Sequence, residues 1–490
     1  MIYGSMLLVL SLCYPSAVFA ASQELEDPVQ RTGPAALPWE TIELKDSKNV
    51  ADLPLILKSI ETHFPLTRIA EKQIEIAEGR EMAARGSFDF RLQLQAGFLA
   101  ETYDQKILDG SLIKQIPGTP LEIYGGWRQG RGNFRPYEGK SLTGAEGEYR
   151  GGFKIPLLRD FLSDPARTRA STSKLLLASE KENVKFRILD IKRIASDRYW
   201  EWIGSYFKLE ATFKLYGLAG ERLSQIKKRV KAGGAALIEV VEVERMIAQR
   251  KAQLIEAERL YQKSALELAL YYRDESGNPQ TSMSIRNGFE LGATISDETP
   301  VSENKTAITE QALAMRGDIG ALEKQEEAAN IEMELSKNQT LPKLDAQLEY
   351  AFDKGLPKDG EKELRGMLTL TFPLENRESR GNLMAAQARM EQVRLTKNYL
   401  NDQVKQDILN LRSALSASHN RAKILLLDRT LSEKLALAER QKFQNGHSSL
   451  LFVNLREQTA NDSAIKAMDA VVEFQKIKVV YQVSRGLDPI

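Results

Sequence analysis

Cysteine is almost missing from this sequence: Cys13 is the single one in 490 residues. One thiol excludes an internal disulfide framework and any thiolate metal site. Histidine is nearly as scarce, and His63, His419 and His447 lie too far apart for a metal or triad spacing. Neither sign of charge is in excess, since 68 Lys and Arg against 67 Asp and Glu leave a net charge of +1. That balance excludes the basic footprint of a nucleic-acid binder and a polybasic membrane patch. Gly139-Lys140-Ser141 resembles the end of a phosphate-binding loop, but Phe134 stands where that loop needs its first glycine. Paired carboxylates such as Glu326-Glu327 read as a solvated helix face. No catalytic residue, cofactor or metal is expected, and the chain does not read as an enzyme.

What is present is a repeat. Residues Arg229 to Val240 (RVKAGGAALIEV) return as Lys442 to Val453 (KFQNGHSSLLFV), with Gly233 and Gly446 offset by 213 residues. A long apolar-periodic segment precedes and follows each glycine, so each copy predicts two helices joined by a tight turn. The outgoing segments are long. Val184, Ile188, Ile191, Ala195, Tyr199, Trp202, Tyr206, Leu209, Phe213 and Tyr216 form one seam, and Val393, Leu400, Val404, Ile408, Leu411, Leu415, Ala422 and Leu426 form the other. A helix from Asp164 to Arg229 would reach roughly 100 Å at 1.5 Å per residue.

Upstream of each hairpin lies a pair of alternating runs that predict strands, 88–98 with 146–157 and 343–353 with 363–373. Phe88, Phe90, Leu92, Leu94 and Phe98 share one face of the first; Asp89, Arg91, Gln93 and Gln95 share the other. Four strands per chain are expected, with residues 101–142 between the first two as a long loop rich in Gly, Tyr, Trp and Arg. Residues 1–20 resemble a secretory signal, with an apolar core from Met6 to Leu12 too short to span a bilayer. Leu12 precedes Cys13 where lipoprotein signals place a small residue, so Cys13 reads as apolar filler. The remaining plan is an extended arm at 21–52, a first repeat at 53–272 opening with a helix from Leu53 to Arg85, a linker at 273–304, and a second repeat at 305–490 opening with a helix from Asn304 to Asn338.

Amphipathic strands of nine to eleven residues suit bilayer-crossing barrel staves, and four cannot close a barrel, so several chains must share one. With the tip repeats, Arg316-Gly317-Asp318-Ile319, Leu341-Pro342-Lys343-Leu344, Ile155-Pro156-Leu157 and Phe372-Pro373-Leu374, the sequence resembles the outer membrane efflux protein family, the TolC-type exit ducts. The resemblance implies an internally duplicated α + β membrane protein: a homotrimer with a twelve-stranded barrel in outer-membrane lipid and a long antiparallel coiled-coil tunnel in the periplasm. It also implies a periplasmic adaptor (membrane fusion) protein and an inner-membrane pump, proton-driven or ABC, as partners. Carried onto this chain, the adaptor-docking tips would be Arg229, Gly233, Ala236, Leu237 and Val240, with Lys442, Gly446, Ser449, Leu450 and Val453. Tunnel-gate candidates are Glu239, Glu242, Phe443, Phe452 and Leu455, because Phe452 and Leu455 occupy positions where some members carry acidic rings. The other readings are the duct of a type I protein secretion system and, from a different class, a soluble coiled-coil scaffold.

Overall fold

The computed structural model describes residues 50–135, 141–286, 289–295 and 305–489. The expected signal segment, Cys13, nearly all of the arm and Gly139-Lys140 lie outside them.

Two repeats of one plan follow each other. The first opens with α1 (Leu53–His63) and α2 (Pro65–Arg85), passes through strands β1 (Arg91–Leu99), β2 (Gln105–Gln115), β3 (Glu122–Gly132) and β4 (Gly147–Pro156), and closes with α3 (Pro165–Lys231) and α4 (Leu237–Ala269). The second runs through α5 (Lys305–Met315), α6 (Gly317–Asn338), β5 (Lys343–Lys354), β6 (Lys362–Thr371), α7 (Arg377–Gln444) and α8 (Leu450–Ser484). The opening helix of each repeat is broken where the sequence reading had one continuous helix. Pro65 lacks an N–H to donate and pushes Phe64 to an extended backbone, φ −79°, ψ 128°. Arg316 has the corresponding extended backbone in the second repeat, at φ −76°, ψ 122°, with no proline after it. There Gly317 is so close to α3 that an added Cβ would lie 2.3 Å from the Glu182 carbonyl oxygen.

α3 and α7 are 67 and 68 residues long. Asp164 starts α3, its carboxylate accepting the Ala166 and Arg167 N–H groups at 2.9 Å each, ahead of Pro165 in the first helical turn. Val404, Ile408, Leu415 and Ala422 of the α7 seam are buried. In α3 the expected seam holds through Leu209, then turns: Thr212, Leu215, Ala219, Arg222 and Ile226 are buried and Phe213 is exposed. A 3.6-residue helix drifts against straight steps of three and four over so many turns. Among the described residues, no helix is long and apolar enough to cross a membrane.

The sheet departs most from expectation. It has six strands, in the order β1-β2-β3-β4-β5-β6, every neighbour antiparallel. The supposed loop at 101–142 contains β2 and β3, so the sheet has six strands where four per chain were expected. The hairpin was hidden because glycines at 110, 125, 126 and 130 interrupt its alternation. The first strand also starts later than expected, at Arg91, after a 3-10 turn at Gly86–Phe88.

Candidate functional site

Cross-strand registry divides the sheet into two faces of opposite chemistry. Leu92 faces Leu112, Ile123 faces Phe153, Trp127 faces Tyr149, Tyr149 faces Phe352, and Leu344 faces Leu370. These belong to one apolar face, on which Leu94, Phe98 and Leu368 are 73%, 82% and 72% exposed. Such a continuous exposed apolar surface exceeds what a soluble surface carries.

The opposite face is a network of charge. Arg150 on β4 reaches across β3 to Asp109 on β2 at 2.6 Å and to Glu349 on β5 at 3.5 Å. Arg365 on β6 meets Glu349 at 3.2 Å and Glu148 at 3.4 Å, and Arg128 on β3 meets Glu148 at 2.8 Å. The Tyr124 hydroxyl donates to Glu349 at 2.9 Å and accepts from the Gln347 amide at 2.7 Å. Its ring lies over Gly152, where a Cβ would sit 2.7 Å from the Tyr124 oxygen. The sheet thus carries paired charge of both signs on one side and apolar side chains on the other.

At the far end of the long helices, the two tips are built alike. Gly233 has φ +72° and Gly446 φ +80°, the left-handed conformation that only glycine adopts cheaply. The Gly234 N–H donates to the Arg229 carbonyl at 2.9 Å and Gly233 to Val230 at 3.0 Å; His447 donates to Lys442 at 2.8 Å and Gly446 to Phe443 at 3.1 Å. Both turns are therefore the same Schellman cap. Ala236 and Ser449 are the N-caps of the return helices. The Glu239 carboxylate accepts the Ala236 N–H at 3.4 Å, which makes it part of that cap.

The tip residues fall into two sets. Phe443, Leu450 and Val453 are buried with Ile226 and Val243 in a small core that joins the hairpins, and Val240 and Val230 pack against it. The Arg229 and Arg222 guanidinium groups lie over the Phe443 ring, 5.3 and 5.1 Å from its centroid. Leu237, Ile238, Val241, Leu451, Phe452 and Leu455 are exposed, as are Glu242, Lys442 and Ser449.

The sequence reading missed a charged node just behind this core. Glu457 of α8 is buried and accepts from three arginines on three other helices: Arg222 of α3 at 2.5 Å, Arg440 of α7 at 3.3 Å and Arg250 of α4 at 3.4 Å. Arg250 also donates to the Leu215 carbonyl at 2.9 Å. Burial lowers the pKa of both Arg222 and Arg250. A signal existed: Arg250 and Glu457 interrupt the buried stripes Val243, Leu254, Ala257 and Val453, Ala460, Ala464. His63, His419 and His447 sit on α1, on α7 and in the second tip, and the described residues hold no cluster able to bind a metal.

The chain is internally duplicated, with a two-faced antiparallel sheet at one end and paired long helical hairpins at the other. No family model matches the chain, and no curated protein does. Solved structures do. The outer-membrane channel OprN is similar at a TM-score of 0.64 and 14% identity, over 94% of this chain and 98% of that one. The outer membrane protein VceC from Vibrio cholerae is similar at 0.63 and 16%, over 89% and 97%. The CmeC outer membrane channel of Campylobacter jejuni is similar at 0.63 and 13%, over 97% and 94%. The chain has the fold of the outer-membrane channels that its sequence resembles.

Proposed function

We propose that this chain is one protomer of a trimeric outer-membrane duct that passively conducts cargo from an inner-membrane pump and periplasmic adaptor to the outside. The observation that carries this reading is the two-faced sheet: Leu92, Leu94, Phe98, Leu364, Leu368 and Leu370 meet lipid, while the paired charges of Arg150, Arg365, Glu349 and Glu148 meet water. Continuity of that sheet with helices about 100 Å long gives a tunnel that reaches far off the membrane. A soluble scaffold would gain nothing from such a surface.

The adaptor docks on the exposed part of the tips. Leu237, Ile238 and Val241 on the first and Leu451, Phe452 and Leu455 on the second offer apolar side chains that the chain itself leaves uncovered. Gly233, Ala236, Gly446 and Ser449 shape those turns, Arg229 and Lys442 supply charge at their entrances, and Leu450, Val453 and Val240 hold them from within. At the tunnel's closed end Phe452 and Leu455 form an apolar constriction, with Glu239 and Glu242 as the nearby negative charge and Phe443 as its buried support.

Efflux and type I protein secretion use the same duct, and the pump decides between them. The test is single-channel conductance of the purified protein in a planar bilayer, run with its crosslinked mass. Channel steps from a trimer support the duct; a monomer that never inserts overturns it.

A further inference from the structure

We propose that the barrel has eighteen strands: three six-stranded sheets joined by a seam in which β1 of one copy pairs with β6 of the next. The inference rests on the trimeric duct proposed above and replaces its expected strand number.

The β2–β3 hairpin is a pair of full staves. Both strands are 11 residues long and are registered along their lengths, from Arg91 opposite Ile113 to Leu99 opposite Gln105, and from Gln105 opposite Gly132 to Gln115 opposite Glu122. Their middles follow the two-face rule of the rest of the sheet, with Lys106, Lys114 and Arg131 on the apolar face only near the strand ends and Ile107 and Ile113 on the charged face. Leu108, Leu112, Ile123 and Trp127 lie on the apolar face, whereas Asp109, Ser111, Tyr124 and Arg128 lie on the charged one. Salt bridges from Asp109 to Arg150 and from Arg128 to Glu148 tie the hairpin to β4. Its turn reaches the start of the tunnel, where the Gln115 amide lies 3.5 Å from the Asp164 carboxylate that caps α3. A hairpin anchored at that level and equal in length to its neighbours spans the same height as they do.

The sheet is left with two open edges, β1 and β6. In a bilayer their unpaired backbone groups have no water to bond, so the edges must be paired. A second copy fits them. Six antiparallel strands put β1 and β6 in opposite directions, so joining them between copies continues the alternation around the ring. Their lengths of nine and ten residues match. Their faces match as well: Leu92, Leu94 and Phe98 continue Leu364, Leu368 and Leu370, and Arg91, Gln93 and Gln95 continue Arg365, Met367 and Thr369. Diameter rises roughly linearly with strand number, so eighteen strands make a barrel about 1.5 times as wide as twelve, in the range that leaves an aqueous channel.

The experiment uses the full chain carrying Cys13→Ser, reconstituted into phosphatidylcholine vesicles. Single cysteines replace Leu108, Leu112, Ser111 and Ile113 in turn and are nitroxide-labelled. The expected result is a period of two, with positions 108 and 112 relaxed by oxygen dissolved in lipid and positions 111 and 113 by a water-soluble nickel chelate. In a second set, a cysteine at Gln95 is combined with one at Arg365, Met367 or Thr369, and oxidation is expected to link copies into a ladder ending at the trimer. Inserted trimers in which all four β2 labels are open to the chelate would overturn the eighteen-stranded barrel and leave the duct standing. Failure of every β1–β6 pair to crosslink in inserted trimers would overturn the seam. A chain that never enters vesicles would overturn both the barrel and the duct.

Discussion

At the residue scale the two tip glycines carry the repeat. Gly233 and Gly446 hold φ +72° and +80° with nothing within 4 Å of an added Cβ, so their conservation of type between copies reflects backbone conformation and not space. Gly446→Ala is expected to cost about 1 kcal/mol, the left-handed penalty of an L-residue, and Gly233→Ala a similar amount. Chemical denaturation of each variant against the parent checks this; a change near zero would show that the turn relaxes out of the left-handed region. Exposed Phe452 predicts the opposite pattern. Phe452→Ser is expected to leave stability within about 0.5 kcal/mol of the parent, while raising the resting conductance of the proposed duct by weakening the apolar constriction proposed for its tip. The turns were legible because a left-handed glycine between two periodic segments has a local cause. The burial of Phe443 beside Arg222 and Arg229 was not, because the partners come from a hairpin more than two hundred residues away.

At the element scale the four long helices are held together behind the tips by Glu457 and its three arginines. Glu457→Gln keeps the shape but leaves Arg222 and Arg250 buried without a counter-charge, which is expected to destabilise the helical end by about 3–5 kcal/mol. Hydrogen exchange of α3, α4, α7 and α8 near the tips, compared with the sheet, would locate the loss. Uniform exchange across the chain would mean that the node does not hold the helices. Helix lengths followed from periodicity, and the seam of α7 lies where its apolar residues place it. Breaks at Phe64 and Arg316 differ in legibility. Pro65 is a local stop that the sequence displays, whereas Arg316 is bent because α6 must bring Gly317 against the Glu182 carbonyl of α3, a contact made only when the helices pack.

At the scale of the whole molecule, the chain is a sheet with a lipid-like face joined to two long hairpins. Arg150 joins Asp109 and Glu349 across the four adjacent strands β2 to β5. Arg150→Ala is therefore expected to leave Asp109 without its ion-pair partner and Glu349 with Arg365 alone, and to lower the heat stability of the assembled trimer more than loss of the largely exposed Arg91 in Arg91→Ala. Electrophoresis of heated and unheated trimers compares them; equal stability would deny the inner-face network a structural role. By itself the sequence determined the duplication, the helical hairpins with their glycine turns, and the amphipathic character of β1, β4, β5 and β6, because each depends on patterns a few residues long. Only the tertiary structure decided that β2 and β3 join the sheet, that Glu457 gathers three arginines, and that Phe443, Leu450 and Val453 form a shared core. Those outcomes depend on cross-strand registry and helix packing. A glycine-rich strand or a lone buried charge becomes favourable only when distant segments supply its hydrogen bonds and counter-charges.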